Sequence, residues 1–218
     1  MTRRLIDISQ TLHPGLPVWP GDTAFSAERT WVMSEDCPVN VSRLTLSTHT
    51  GAHADAPLHY DPRGADMAAV GLVTYLGPAQ VIDVTACGDR RILPQDVAGR
   101  LRPDTVRLIL RTFEQFPHDR WPQAFATPSP ELIETLAAQG GVLIGVDAPS
   151  LDPETSRDLP AHHAVARRGL AILEGLVLDD VAEGRYELIA LPLKLAGADA
   201  SPVRAVLRIL DGGQEDIG

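Results

Sequence analysis

The stretch STHTGAHADAPLHY, residues 47–60, concentrates three of the chain's seven histidines, His49, His53 and His59, around Asp55. These side chains constrain the fold because no regular element brings them together. In an ideal helix His49 and His53 share a face, but Asp55 falls about 200° round from His53. In a straight strand all four positions point the same way, yet at about 3.3 Å per residue His49 and Asp55 lie roughly 20 Å apart. A fold that uses them jointly has to bend the chain sharply, and Gly51 can take backbone angles closed to other residues. The expectation is a strand over 41–48 (VSRLTLST), a sharp turn, and a compact stretch after it. Loop chemistry accounts for the Gly and Pro of this segment but not for three imidazoles and a carboxylate. Those point to a metal centre, a structural polar network, or a metal-free catalytic histidine. Imidazole and carboxylate donors bind Zn²⁺ at about 2.0–2.2 Å, so the metal reading is geometrically strict.

The rest of the chain supplies the frame. Apolar runs rich in β-branched residues predict strands at 4–9, 79–85, 106–112, 142–147, 186–191 and 203–210. One helix is well signalled: Ser129 as N-cap, Pro130 and Glu131 in the first turn, Leu132, Ile133, Leu136 and Ala137 on one face, and Gly140-Gly141 as the stop. Shorter helical pieces are expected at 162–168, ending at Gly169, and around 94–101. The reading is an α/β fold in one domain over 1–210, with a polar, Gly-rich tail at 211–218 expected to fray.

With 218 residues and a formal charge of −10, the chain lacks the concentrated basic face that nucleic acid requires. No run approaches the roughly 18 apolar residues of a membrane span, and the N-terminus lacks an export signal, so a cytoplasmic protein is expected. Cys37 and Cys87 are isolated, which argues against a disulfide framework or a thiolate zinc site. No G-x-S-x-G elbow occurs.

A second donor set lies in LPAHHAVARRGLAILEGLVL. His162 and His163 open a short helix, and Glu174 interrupts an apolar run. A carboxylate there is costly to bury without a cation or several hydrogen bonds, although an edge position facing water would also explain it. The histidines could equally cap the helix. Trp19, between prolines in the loop HPGLPVWPGDTAF, is either a substrate platform or a lid on the core.

HTGAHADAPLH resembles the H-x-G-T-H-x-D-x-P-x-H signature of cyclase-like metal-dependent hydrolases, with Ala52 where threonine is common. The segments IDISQTLHPGLPVWPGDTAF, HHAVARRGLAILEGLVL and YELIALPLKLAGADASPVRAVLR are similar to the bacterial kynurenine formamidase branch, so the likeness spans nearly the whole chain. This resemblance implies a compact α/β domain of mixed sheet and flanking helices, of the swivelling β/β/α type, forming a homodimer. It implies two Zn²⁺ ions per subunit and hydrolysis of N-formyl-L-kynurenine to L-kynurenine and formate in tryptophan breakdown, with water held at the ions as nucleophile. By motif position His49, His53, Asp55, His162 and Glu174 match the family's metal ligands. Asp55 and Glu174 would bridge both ions, with His49 and His53 completing one site and His162 the other. His162 rather than His163 matches because it stands twelve residues before Glu174. His59 matches the family's proton-transfer histidine and Trp19 its substrate-contacting aromatic.

Two rivals share these residues. A related hydrolase opening a cyclic amide such as isatin would use the same donors. A non-catalytic protein would use them to hold a structural zinc, although the set offers more donors than one closed site needs. His13, His118 and His163 receive no role, and the surface is the default for His13 and His118.

Overall fold

A computed structural model of the chain describes residues 4–210; the expected tail at 211–218 lies outside the described residues. Along the chain come β1 (Leu5–Asp7), β2 (Ser26–Trp31), β3 (Val41–Thr45), β4 (His53–Asp55), β5 (Leu76–Asp83), the one-turn α1 (Pro94–Val97), β6 (Arg107–Arg111), α2 (Pro130–Ala138), β7 (Leu143–Val146), α3 (Pro160–Arg168), β8 (Ala171–Glu174), β9 (Gly184–Ile189), β10 (Ala200–Pro202) and β11 (Val206–Ile209). Nine strands form one mixed sheet in the order β1-β11-β9-β5-β6-β7-β8-β4-β10. Strands β5 to β8 run parallel, and antiparallel pairings extend the sheet on both sides.

The central strands are apolar on both faces because both faces are covered. Leu108 and Leu110 of β6 pack with Leu132, Ile133 and Leu136 of α2, whereas Ile109 between them joins the opposite layer with Met67, Tyr75 and Leu188. Helix α2 starts where its sequence signals it, the Ser129 hydroxyl accepting from the Leu132 amide at 3.2 Å. It closes with Gly141 N–H donating to the Leu136 carbonyl at 3.0 Å, Gly140 having φ +85°. Helix α3 begins two residues before the predicted start, on Pro160, and ends at a left-handed Gly169.

Three expectations are corrected. The strand at 41–48 stops at Thr45 and pairs with β2 alone, forming a separate two-stranded ribbon rather than feeding the histidines into the main sheet. The helix around 94–101 is a single turn, because Ala98 already leaves helical backbone at ψ 136° and Gly99 follows it at φ +76°. The segment after Gly51 is not merely compact: it is extended as β4 before the 3₁₀ turn at Pro57–His59. Strands β2, β4, β8 and β10 carry no predicted assignment.

Candidate metal centre and its cavity

Sheet register assembles the centre. In the antiparallel β4–β8 pair His53 lies opposite Glu174, and Asp55, two residues along, shares the face of His53. His49 reaches the same place through a turn in which the Thr50 amide donates to the Ser47 carbonyl at 3.1 Å, followed by Gly51 at φ +67°. The backbone after Glu174 presses on this turn. Gly175 has φ +64°, and a Cβ there would stand 2.6 Å from the Gly51 carbonyl oxygen. Gly175→Ala therefore costs about 1–3 kcal/mol in left-handed backbone strain alone, with the clash added, and urea unfolding will show the loss. His162 enters from the first turn of α3.

The donors face one another in two groups. Asp55 Oδ1 lies 3.2 Å from His49 Nδ1 and 3.5 Å from His53 Nε2, while Glu174 Oε2 lies 3.2 Å from the same His53 nitrogen. The other carboxylate oxygens turn the opposite way: Asp55 Oδ2 is 3.6 Å and Glu174 Oε1 3.5 Å from His162 Nε2. Ligands about 2.1 Å from a tetrahedral ion lie about 3.4 Å apart, so these separations suit atoms around a shared cation. His53, Asp55, His162 and Glu174 are at most 3% exposed, and His53 Nε2 and both Asp55 oxygens have no aligned hydrogen-bond partner. Leaving such atoms buried and unpaired is costly, and a bound cation removes the cost. The residues fit a metal.

Their nitrogens are oriented from behind. His53 Nδ1 lies 2.9 Å from the Gly51 carbonyl, and His162 Nδ1 lies 2.7 Å from Asp152 Oδ2. Asp152 also accepts from the Ala161 and His162 amides at 3.1 Å, so one carboxylate both caps α3 and aims its histidine. Asp199 Oδ2 lies 3.0 Å from His49 Nε2 and 3.4 Å from His59 Nδ1, and its Oδ1 accepts from the Thr48 hydroxyl at 2.9 Å. Asp152 and Asp199 carry no local sequence signal, since each is distant along the chain from a partner it holds.

The centre is strongly anionic. Burial disfavours an imidazolium at His162, but the carboxylates of Asp152, Asp55 and Glu174 outweigh it and push the group up to about 12. His49 rises in the same way to about 9, Asp55 and Asp199 prevailing over burial. Burial alone would raise Asp55, yet His162 and His49 hold it well below the usual carboxylate range. A metal ligand nitrogen must be deprotonated, so a cation held by His49 and His162 would displace their protons. Calorimetric titration of the metal-free protein with Zn²⁺ at pH 7–8, in buffers of different ionisation enthalpy, is expected to show release of about two protons per chain and affinity rising with pH.

Above the centre opens a cavity of about 300 Å³ lined by His49, His53, His59, His162 and Glu174 at one side and by Trp19, Phe113, Phe116 and Trp121 at another. Trp19 is half-buried in this wall rather than closing the core, edge-to-face with Trp121 at 5.5 Å. Phe113, Phe116 and Trp121 carry no sequence signal as wall residues, because they belong to a loop far from every motif. His59 sits at the end of its 3₁₀ turn, its ring 4.3 Å from His49 and 5.9 Å from His162. Glu174 does not face water, and His163 points to the surface, as do His13 and His118.

Residues 6–153 match the Cyclase family model. Kynurenine formamidase of Maricaulis maris is 55% identical over 207 residues, 95% of this chain and 99% of that protein. A solved structure described as a potential metal-dependent hydrolase with cyclase activity has a TM-score of 0.82 at 30% identity, covering 96% of this chain and 100% of that one. Isatin hydrolase A from Labrenzia aggregata, at 24% identity, shares the fold with a TM-score of 0.81 over 95% of this chain and 94% of its own. The likeness extends over nearly the whole chain, which carries a buried His and carboxylate centre on its sheet: the chain belongs to the cyclase family of metal-dependent hydrolases.

Proposed function

We propose that the protein is a kynurenine formamidase, hydrolysing N-formyl-L-kynurenine to L-kynurenine and formate in tryptophan breakdown. The observation that carries this reading is the 55% identity to a kynurenine formamidase over 95% of the chain. The cavity supports it, since an aryl formamide needs an aromatic wall beside a hydrolytic centre.

His49, His53, Asp55 and Glu174 would hold one zinc ion, and His162 with the remaining oxygens of Asp55 and Glu174 a second. His and carboxylate donors without cysteine suit zinc. Bound zinc polarises a carbonyl and makes water a nucleophile at neutral pH. The protein's own groups do the rest. Trp19 packs against the aryl ring and sets its angle to the centre. His59, held at Nδ1 by Asp199, takes a proton on Nε2 from the attacking water and returns it to the departing aryl nitrogen.

The assay is hydrolysis of N-formyl-L-kynurenine as purified, after chelation, and after zinc is restored. Turnover lost on chelation and recovered with zinc supports the reading. A folded, zinc-loaded sample that spares this substrate but opens isatin would replace it with cyclic-amide hydrolysis.

The protein acts in the cytoplasm as a homodimer. The free thiols of Cys37 and Cys87 suit a reducing compartment, and no helix among the described residues is long and apolar enough to cross a membrane. The β2–β3 ribbon supports the dimer: a two-stranded ribbon is marginal alone, and this one exposes Trp31, Val32, Met33 and Leu44 by more than half. Trp31→Glu with Leu44→Glu is expected to shift the protein from dimer to monomer in light scattering.

A further inference from the structure

The formamidase reading, on which this inference rests, leaves one end of the substrate unassigned. N-formyl-L-kynurenine carries an α-carboxylate and an α-ammonium remote from its formamide. The cavity contains three charged side chains outside the proposed ligand set and its histidines: Asp22, Arg120 and Asp147. Asp147 is buried, and its oxygens are taken by the Thr112 and Phe113 amides at 2.8–3.1 Å. Asp22 and Arg120 are exposed at the cavity.

The aromatic wall brings these two together. Asp22 closes a turn with Trp19, its amide donating to the Trp19 carbonyl at 2.9 Å, and Arg120 immediately precedes Trp121. The edge-to-face Trp19–Trp121 pair packs one turn against the other, and Trp121 Nε1 donates to Glu154 Oε2 at 2.7 Å, anchoring that side. Despite this, no ion pair within 4.0 Å joins Arg120 to Asp22 or to any other carboxylate among the described residues. Asp22 Oδ1 accepts from the Thr23 amide at 2.6 Å, leaving Oδ2 for a ligand. A guanidinium and a carboxylate that share a cavity without neutralising each other match a zwitterion. The planar guanidinium fork also fits a carboxylate through two hydrogen bonds.

We propose that Arg120 binds the α-carboxylate and Asp22 the α-ammonium of the substrate, so that the cavity selects amino-acid formanilides over formanilides without that group. The test compares N-formyl-L-kynurenine with 2′-formamidoacetophenone, which keeps the aryl formamide and ketone but lacks the amino acid. The ratio of their kcat/KM values is expected to fall about 10- to 100-fold in Arg120→Ala, through KM for the amino-acid substrate. Arg120→Lys should recover part of it as a point charge, and Asp22→Asn should lower it less. An unchanged ratio in Arg120→Ala, whether both substrates fall together or neither falls, overturns the proposal while leaving the formamidase reading intact. A zinc-loaded wild-type protein that cleaves neither formanilide overturns both, and this is settled before any variant is made.

Discussion

Asp55→Asn is expected to lower formamide hydrolysis by at least about 10³-fold and to strip metal from both positions. Residues behind a ligand commonly cost 10–100-fold when altered, and a residue shared by two ions costs more. The geometry assigns the effect to charge and donor number rather than shape. Asp55 offers Oδ1 to the His49 and His53 side and Oδ2 to the His162 side. Asparagine keeps the outline, but one of the two atoms becomes an amide NH₂ that repels a cation, and the negative charge is lost. In the metal-free protein the substitution relieves repulsion between Asp55 and Glu174 but gives up the attraction of His49 and His162 for Asp55, so urea unfolding of the variant accompanies the metal analysis. Metal analysis on the folded variant decides the matter. Two ions retained per subunit would show that Asp55 does not bridge.

His59→Ala is expected to lose about 10²–10⁴-fold in kcat while retaining its full metal content, the size of effect typical of a general acid–base group. The case rests on where the ring sits. Its side chain is 32% exposed to the cavity side, whereas those of His53 and His162 are closed off, and its Nδ1 faces Asp199. Burial opposes ionisation of Asp199, but His49 and Thr48 hold it down at about 2, so it stays anionic at working pH and leaves Nε2 of His59 free for a proton. The contrary outcome is equally concrete. His49, Asp55 and His59 each offer a donor atom within 4.8 Å of the others, so loss of one ion in His59→Ala would make His59 a ligand.

These two expectations differ in how far the sequence alone supports them. Spacing within HTGAHADAPLH is enough to select donors for a sharp turn, and the left-handed Gly51 makes that turn. It could not show that Asp55 presents its two oxygens to opposite sides. That depends on pairing with β8, a strand of four residues recognised only by its place in the sheet. Strands β4 and β10 are three residues each, with His, Ala, Asp, Ser and Pro in place of β-branched residues, so local propensity offers nothing to read. Their extended form comes from ladder hydrogen bonds. Long, strongly patterned elements behave otherwise: Ser129 and Gly140 bound α2 where expected, and the apolar runs of β6 and β7 lie at the centre of the sheet.

By itself, then, the sequence determined the α/β class, the central strands, the ends of α2, and which residue types could bind metal, because caps, periodicity and donor chemistry are local properties. Tertiary structure alone decided that Asp152 aims His162, that Asp199 joins His49 to His59, and that Trp19 meets Trp121 across a cavity carrying Asp22 and Arg120. Most of these partners lie far apart along the chain, and their meeting is set by strand register and the packing of loops on the sheet, which no local pattern encodes.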